Sequence, residues 1–157
     1  MPMTPSGGLT IREGREADLP ELVAILAADA LGGHGDTTAP EAFGAYLAAF
    51  RAIAASPATR LYVAERDGRP VGSFQLIFAH SLTGQGALRA LIEAVFVTPD
   101  LRGQGIGAQM VRHAMAEARA AGATSLALTS NRRREAAHRF YERLGFAGSH
   151  LGFKIAL

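Results

Sequence analysis

One stretch constrains this chain more than any other: Val95-Phe96-Val97-Thr98-Pro99-Asp100-Leu101-Arg102-Gly103-Gln104-Gly105-Ile106-Gly107-Ala108. The apolar run Ala87–Val97 that leads into it reads as a buried strand, bounded by Thr98-Pro99. A glycine-dense turn follows, and then an apolar stripe at helical spacing: Ile106, Met110, Val111, Ala114, Met115 and Ala118. The spacing predicts a helix over about 103–121 that opens directly on the turn. The first amides of a helix have no partner within it, and the positive end of its dipole lies there. Glycines keep Cβ atoms away from those amides, and Arg102 adds a formal charge at the rim. Such a turn is a cradle for a phosphate group.

Which phosphate it takes is a separate matter. A P-loop requires Gly-Lys-Ser or Gly-Lys-Thr in the turn, and no lysine is near. Gly103-x-Gly105-x-x-Ala108 formally fits the dinucleotide fingerprint G-x-G-x-x-A. That fingerprint also expects an acidic residue about 20 positions on to hold the ribose, and residues 118–134 contain neither Asp nor Glu. It belongs, moreover, to a repeated parallel β-α-β architecture. A third reading is a glycine-rich turn with no ligand.

The rest of the chain supplies only one such crossover. Residues 1–8 are small, polar, Pro or Gly and predict a frayed start, with 9–157 as a single domain. Leu9 and Ile11 alternate with Thr10 and Arg12 as in a short strand. Asp18 is placed to cap a helix with Glu21 as its reciprocal partner, and Leu19, Leu22, Val23 and Leu26 give that helix its stripe up to Gly32-Gly33. A loop, Gly32–Pro40, precedes a second helix over about 40–55. Strands over about 60–66 and 70–81 meet at Asp67-Gly68, and the loop Leu82–Gly86 follows. After the long helix come a strand at Ser125–Ser130, a helix over 133–144 closed by Gly145, and a half-buried strand in which Leu151, Phe153, Ile155 and Leu157 alternate with small or polar residues. The order predicts a mixed sheet covered by helices on both faces.

Composition narrows the setting. Cysteine is absent, which excludes disulfides, thiolate catalysis and cysteine metal sites. No run approaches the roughly 20 apolar residues of a membrane span, and the N-terminus lacks a secretory pattern, so the expectation is a cytoplasmic protein with no membrane partner. The net charge is +2. The dense basic run Arg132-Arg133-Arg134 is followed at once by Glu135, which suits a solvated helix start and not a nucleic-acid face.

Arg102-x-x-Gly105-x-Gly107, with the strand before it, resembles the R/Q-x-x-G-x-G/A pyrophosphate loop of the Gcn5-related N-acetyltransferases (GNAT). A second segment, Ser130–Phe146 (SNRRREAAHRFYERLGF), resembles that family's other signature: Asn131, Ala136, Phe140-Tyr141 and Leu144-Gly145-Phe146 all stand where it expects them. The motifs span residues 93–146, about a third of the chain. The resemblance implies a GNAT-like α/β fold, with a mixed, mostly antiparallel sheet of six or seven strands flanked by about four helices. It implies acetyl-CoA as cosubstrate, with its pyrophosphate on the amides of Gly103, Gln104, Gly105, Ile106, Gly107 and Ala108. Its pantetheine arm would pair like a strand with Val95, Phe96 and Val97, and Arg102, Asn131, Ala136 and Phe140 would complete the coenzyme half.

Amide formation needs a polarised thioester, a neutral amine and a protonated leaving thiolate. The amide of Val97, or of a neighbour freed by a bulge in its strand, is the expected oxyanion donor. Tyr141 matches the family's general acid, although it could simply pack with Ala137 and Leu144. Glu93 interrupts an apolar run, and an inward carboxylate there would have a raised pKa suited to a base; a solvent-facing carboxylate with water as base is the alternative. His34 lies in the loop between the first two helices, where the resemblance implies an acceptor pocket; His80 ends the third strand, His150 begins the last one, His113 and His138 sit on helices, and no pair has metal-ligand spacing, so no metal is expected. The acceptor reads as a primary amine, small-molecule first, with a peptide amine or a non-catalytic acyl-CoA sensor as alternatives. A homodimer is compatible with the family resemblance.

Overall fold

The structure, a computed structural model, describes residues 8–29 and 34–157. The helix stop expected at Gly32-Gly33 and most of the frayed start lie outside these residues. The chain order is β1 (Thr10–Glu13), α1 (Leu19–Ala27), α2 (Phe43–Ala55), β2 (Thr59–Arg66), β3 (Arg69–His80), β4 (Leu88–Val97), α3 (Ile106–Ala120), β5 (Ser125–Ala127) and α4 (Glu135–Arg143). Short 3-10 turns at Glu16–Asp18, Pro40–Ala42 and Pro99–Leu101 precede α1, α2 and the glycine turn.

Five strands form one sheet in sequence order, antiparallel throughout except for the parallel pair β4/β5. The β2–β3 hairpin turns on Asp67-Gly68, both left-handed (φ 53° and 76°), the backbone that matches strand twist in a two-residue hairpin. Each face has its own core. On one, Tyr62, Phe74, Leu76 and Ile92 pack against Ile106, Met110, Val111 and Ala114 of α3, with Tyr62 stacked on Phe74 at 5.0 Å. On the other, Val63 and Phe96 pack against Leu22 and Ile25 of α1. Helices on both faces follow from this. Gly72 is where strand and helix come closest: a Cβ there would lie 2.8 Å from the Phe96 carbonyl oxygen and 3.0 Å from Met110 Sδ.

Three expectations are corrected. Asp18 does not cap α1. Its carboxylate accepts a forked pair from Arg12 at 2.8 and 2.9 Å and the Arg15 amide at 2.7 Å, and Arg12 is held in turn by Glu65. A charge-assisted fork is a stronger use of that carboxylate than an end amide, and it organises the 3-10 turn instead. The long helix begins at Ile106 and not at 103, because Gly103 and Gly105 are left-handed (φ 78° and 83°). Among the described residues the sheet has five strands and not six or seven: Leu151–Leu157 pairs with none of them, and its apolar side chains stand exposed.

Candidate functional site

β4 carries the site's geometry. Antiparallel pairing to β3 slips between Phe96 opposite Ser73 and Glu93 opposite Gln75, leaving two residues, Ala94 and Val95, against Phe74 alone. Ala94 takes φ 50°, a left-handed backbone uncommon for a residue with a Cβ. This is a β-bulge, and it turns backbone groups out of the ladder. On its other side, β4 pairs with β5 only through Arg89–Leu91. Beyond Leu91 and Ala127 the two segments part, so the backbone of Ile92–Val97 has an open flank along that fork. The bulge and the fork occur on the same few residues.

The fork leads along the chain to the glycine turn. Gly103 and Gly105 are exposed, and no atom lies within 4 Å of where a Cβ would sit on either. Gly105 is the N-cap of α3, with no side chain capping that end. Free helix amides therefore face open space, as an anion cradle requires. Arg102 reaches back so that its Nε donates to the Val97 carbonyl at 3.2 Å, fastening the turn to the end of β4. Arg66, at the end of β2, donates to Gln104 Oε1 at 3.2 Å. Arg66 had no signal in the sequence, since a cation at a hairpin base has no motif.

The two sequence signatures touch in space. Phe140 of α4 lies so close to Gly107 that a Cβ there would be 3.3 Å from its Cζ, so glycine at 107 makes room for the second motif. Asn131 shapes the entry to α4: its Oδ1 accepts the Arg133 amide at 3.0 Å and its carbonyl accepts the Arg134 amide at 3.0 Å. His138 Nε2 lies 2.8 Å from that same carbonyl. A carbonyl only accepts, so Nε2 carries the proton. Ala136 is exposed on the first turn of α4. Tyr141 is half-buried, edge-on to Phe140 at 5.0 Å and to Phe146 at 5.7 Å, and the Phe146 amide closes the helix end on the Tyr141 carbonyl. Burial raises its phenol above the ordinary value, with Arg134 working weakly against it. The phenol therefore keeps its proton across the neutral range. Val95, Leu128, Phe140 and Tyr141 border one and the same buried cluster.

Glu93 departs from the expectation. Its side chain is exposed, directly opposite Gln75. Leu61, Gln75 and Glu93 form a cross-strand row, one step along from the row Val63, Ser73 and Phe96 that lies under α1. Glu93 thus stands on the α1/α2 face of the sheet with its side chain in water. His34 and His80 are exposed, and the His150 ring is hydrogen-bonded to its neighbour Ser149. His113 packs edge-on against Tyr62 at 5.2 Å.

A sequence model of the Acetyltransferase (GNAT) family matches residues 20–146. The chain belongs to that family. An aminoalkylphosphonate N-acetyltransferase of Salmonella typhimurium is 39% identical over 108 residues, 69% of this chain and 70% of that one. The structure of a transcriptional regulator from Bacillus halodurans C-125 is 39% identical with a TM-score of 0.91, over 96% of this chain and all of that one. A putative acetyltransferase from Agrobacterium tumefaciens is 32% identical with a TM-score of 0.82, covering 94% and 99% of the two chains. This GNAT member is an acetyltransferase whose cosubstrate is acetyl-CoA. Among the described residues no helix is long and apolar enough to cross a membrane.

Proposed function

We propose that the chain acetylates the primary amine of a small molecule, by direct attack on acetyl-CoA in a ternary complex. The observation that carries this reading is the β4 bulge at Ala94–Val95 lying on the flank where β4 and β5 part. An extended chain lying along that fork would meet unpaired β4 backbone, and an anion at its far end would meet the amides of 103–108. Pantetheine and pyrophosphate have those two characters. Arg102 and Phe140 fix the turn and Asn131 the entry to α4, and Ala136, exposed on the first turn of α4, completes the coenzyme half.

The amine nitrogen attacks the thioester carbonyl carbon, and the negative charge moves to the carbonyl oxygen. A backbone N–H released by the bulge, or that of Val97, stabilises the oxyanion. The carbon–sulfur bond then breaks, and Tyr141 gives its phenolic proton to the departing thiolate. The amine's surplus proton passes to the solvent-exposed carboxylate of Glu93 and from there to water. Solvent returns a proton to Tyr141. No buried side-chain base is required.

The acceptor most in keeping with the curated relative is an amine bearing an anionic group, such as an aminoalkylphosphonate. Thiol release from acetyl-CoA, measured over a panel of aminoalkylphosphonates, polyamines, aminoglycosides and lysine peptides, tests the reading. We expect turnover on small amines, and on aminoalkylphosphonates above all. Turnover confined to peptides would remove the small-molecule assignment, and coenzyme binding with no amine turned over would indicate a sensor.

A further inference from the structure

We propose, on the acetyltransfer reading given above, that Gln75 binds the acceptor: its carboxamide oxygen holds one N–H of the attacking amine beside Glu93. From Val71 to Ala79, β3 reads VGSFQLIFA, and only Ser73 and Gln75 carry polar side chains. Both belong to the face under α1 and α2. Ser73 stands between Val63 and Phe96, and Gln75 between Leu61 and Glu93. A polar group set among apolar neighbours costs free energy unless it finds a partner. On the opposite face the polar groups have one, since Arg60 and Tyr62 of β2 both donate to Glu117 of α3. Gln75 is half-buried, and its carboxamide has no hydrogen-bond partner among the described residues.

The two helices leave this place open. α1 lays Leu22 and Ile25 over Val63 and Phe96, while α2 packs on β2, with Phe50 and Ile53 around Leu61. Glu93, at the far end of the row from Leu61, is exposed. Gln75 and Glu93 are paired directly across β3 and β4, a position in which Cβ atoms stand about 5 Å apart. The bulge begins at the next residue, Ala94. An amine that approaches a thioester at the bulge from the α1/α2 face therefore meets both side chains together. A primary ammonium presents three N–H donors. One proton goes to the Glu93 carboxylate, and Gln75 Oε1 accepts one of the two N–H groups that remain. The lone pair left on nitrogen is then free to face the thioester carbon, which is the orientation that attack requires. A carboxamide suits this task because it accepts a hydrogen bond without taking the proton, so the proton is left to Glu93.

Steady-state kinetics with whichever amine of the panel above turns over fastest tests this on the unaltered chain, Gln75→Leu and Gln75→Met. Neither variant has an oxygen to offer, and methionine keeps the length of the side chain. We expect kcat/KM for the amine to fall by about tenfold to a hundredfold in both, the scale of one hydrogen bond to a charged group. Acetyl-CoA affinity by calorimetry and Tm should stay as in the unaltered chain. Undiminished kcat/KM in both variants overturns the proposal. So does a loss matched by weaker acetyl-CoA binding or a lowered Tm, which would make Gln75 a packing residue. An unaltered chain that binds acetyl-CoA and turns over no amine removes the acetyltransfer reading itself, and the role of Gln75 with it.

Discussion

Tyr141 illustrates how one residue carries two kinds of information. Its place in the second motif was readable from the sequence, but its environment was not. Only the fold shows it wedged between the rings of Phe140 and Phe146, with burial raising the phenol. Tyr141→Phe keeps the rings packed and removes only the hydroxyl group. If the hydroxyl protonates the thiolate, kcat should fall by about 10²–10⁴-fold, the usual size of a general-acid contribution, with acetyl-CoA affinity little changed by calorimetry. Since the acid must be protonated to work, the wild-type alkaline limb that this hydroxyl sets should lie above the ordinary tyrosine range. Unchanged turnover in the variant would return Tyr141 to a packing role. Glu93 shows the opposite limit. A carboxylate inside an apolar run looked buried, and the bulge next to it leaves its side chain in solvent. Residue type and hydropathy could not reveal a register slip made by two strands together.

At the scale of elements, the glycine turn was the most legible part of the chain. Three glycines in five residues have separate reasons, and only some could be read in advance. Gly103 and Gly105 are needed for their left-handed backbone, with open space around them. Gly107 is needed because Phe140 approaches it, a contact between motifs some thirty residues apart in sequence. Gly105→Ala should therefore destabilise the protein by about 1–2 kcal/mol through backbone strain alone, seen as a lower Tm. A methyl group at the mouth of the amide cradle should in addition weaken acetyl-CoA by an order of magnitude or more in calorimetry. A variant with a lower Tm and undiminished affinity would move the pyrophosphate elsewhere. The helix start moved three residues from its expected position for this same reason: left-handed glycines cannot belong to a right-handed helix.

For the molecule as a whole, the half-buried cluster Arg12, Asp18 and Glu65 ties β1 and the approach to α1 onto β2. The Arg12 guanidinium, aided by the Arg15 amide, holds the Asp18 carboxyl below its ordinary value. A carboxyl depressed by folding stabilises the fold at pH above its unfolded pKa, and that stability is lost as pH falls through the folded pKa. Asp18→Asn should therefore lower stability by about 2 kcal/mol at neutral pH, the scale of hydrogen bonds to a charged group. The deficit should shrink as wild type is acidified below the usual carboxylate range, and urea melts at several pH values would show it. A deficit independent of pH would mean the side chain acts by shape and not by charge. The sequence by itself determined the helices and most of the strands, the hairpin at Asp67-Gly68, the glycine turn at the start of α3, and the acetyltransferase family, because each depends on residues near one another in the chain. Tertiary structure alone decided the bulge at Ala94, the parting of β4 from β5, the exposure of Glu93, the diversion of Asp18 to Arg12, and the unpaired tail. Each of those depends on how segments distant in sequence come into register, and hydrophobic pattern specifies which face of a strand is buried but not which edge it will find.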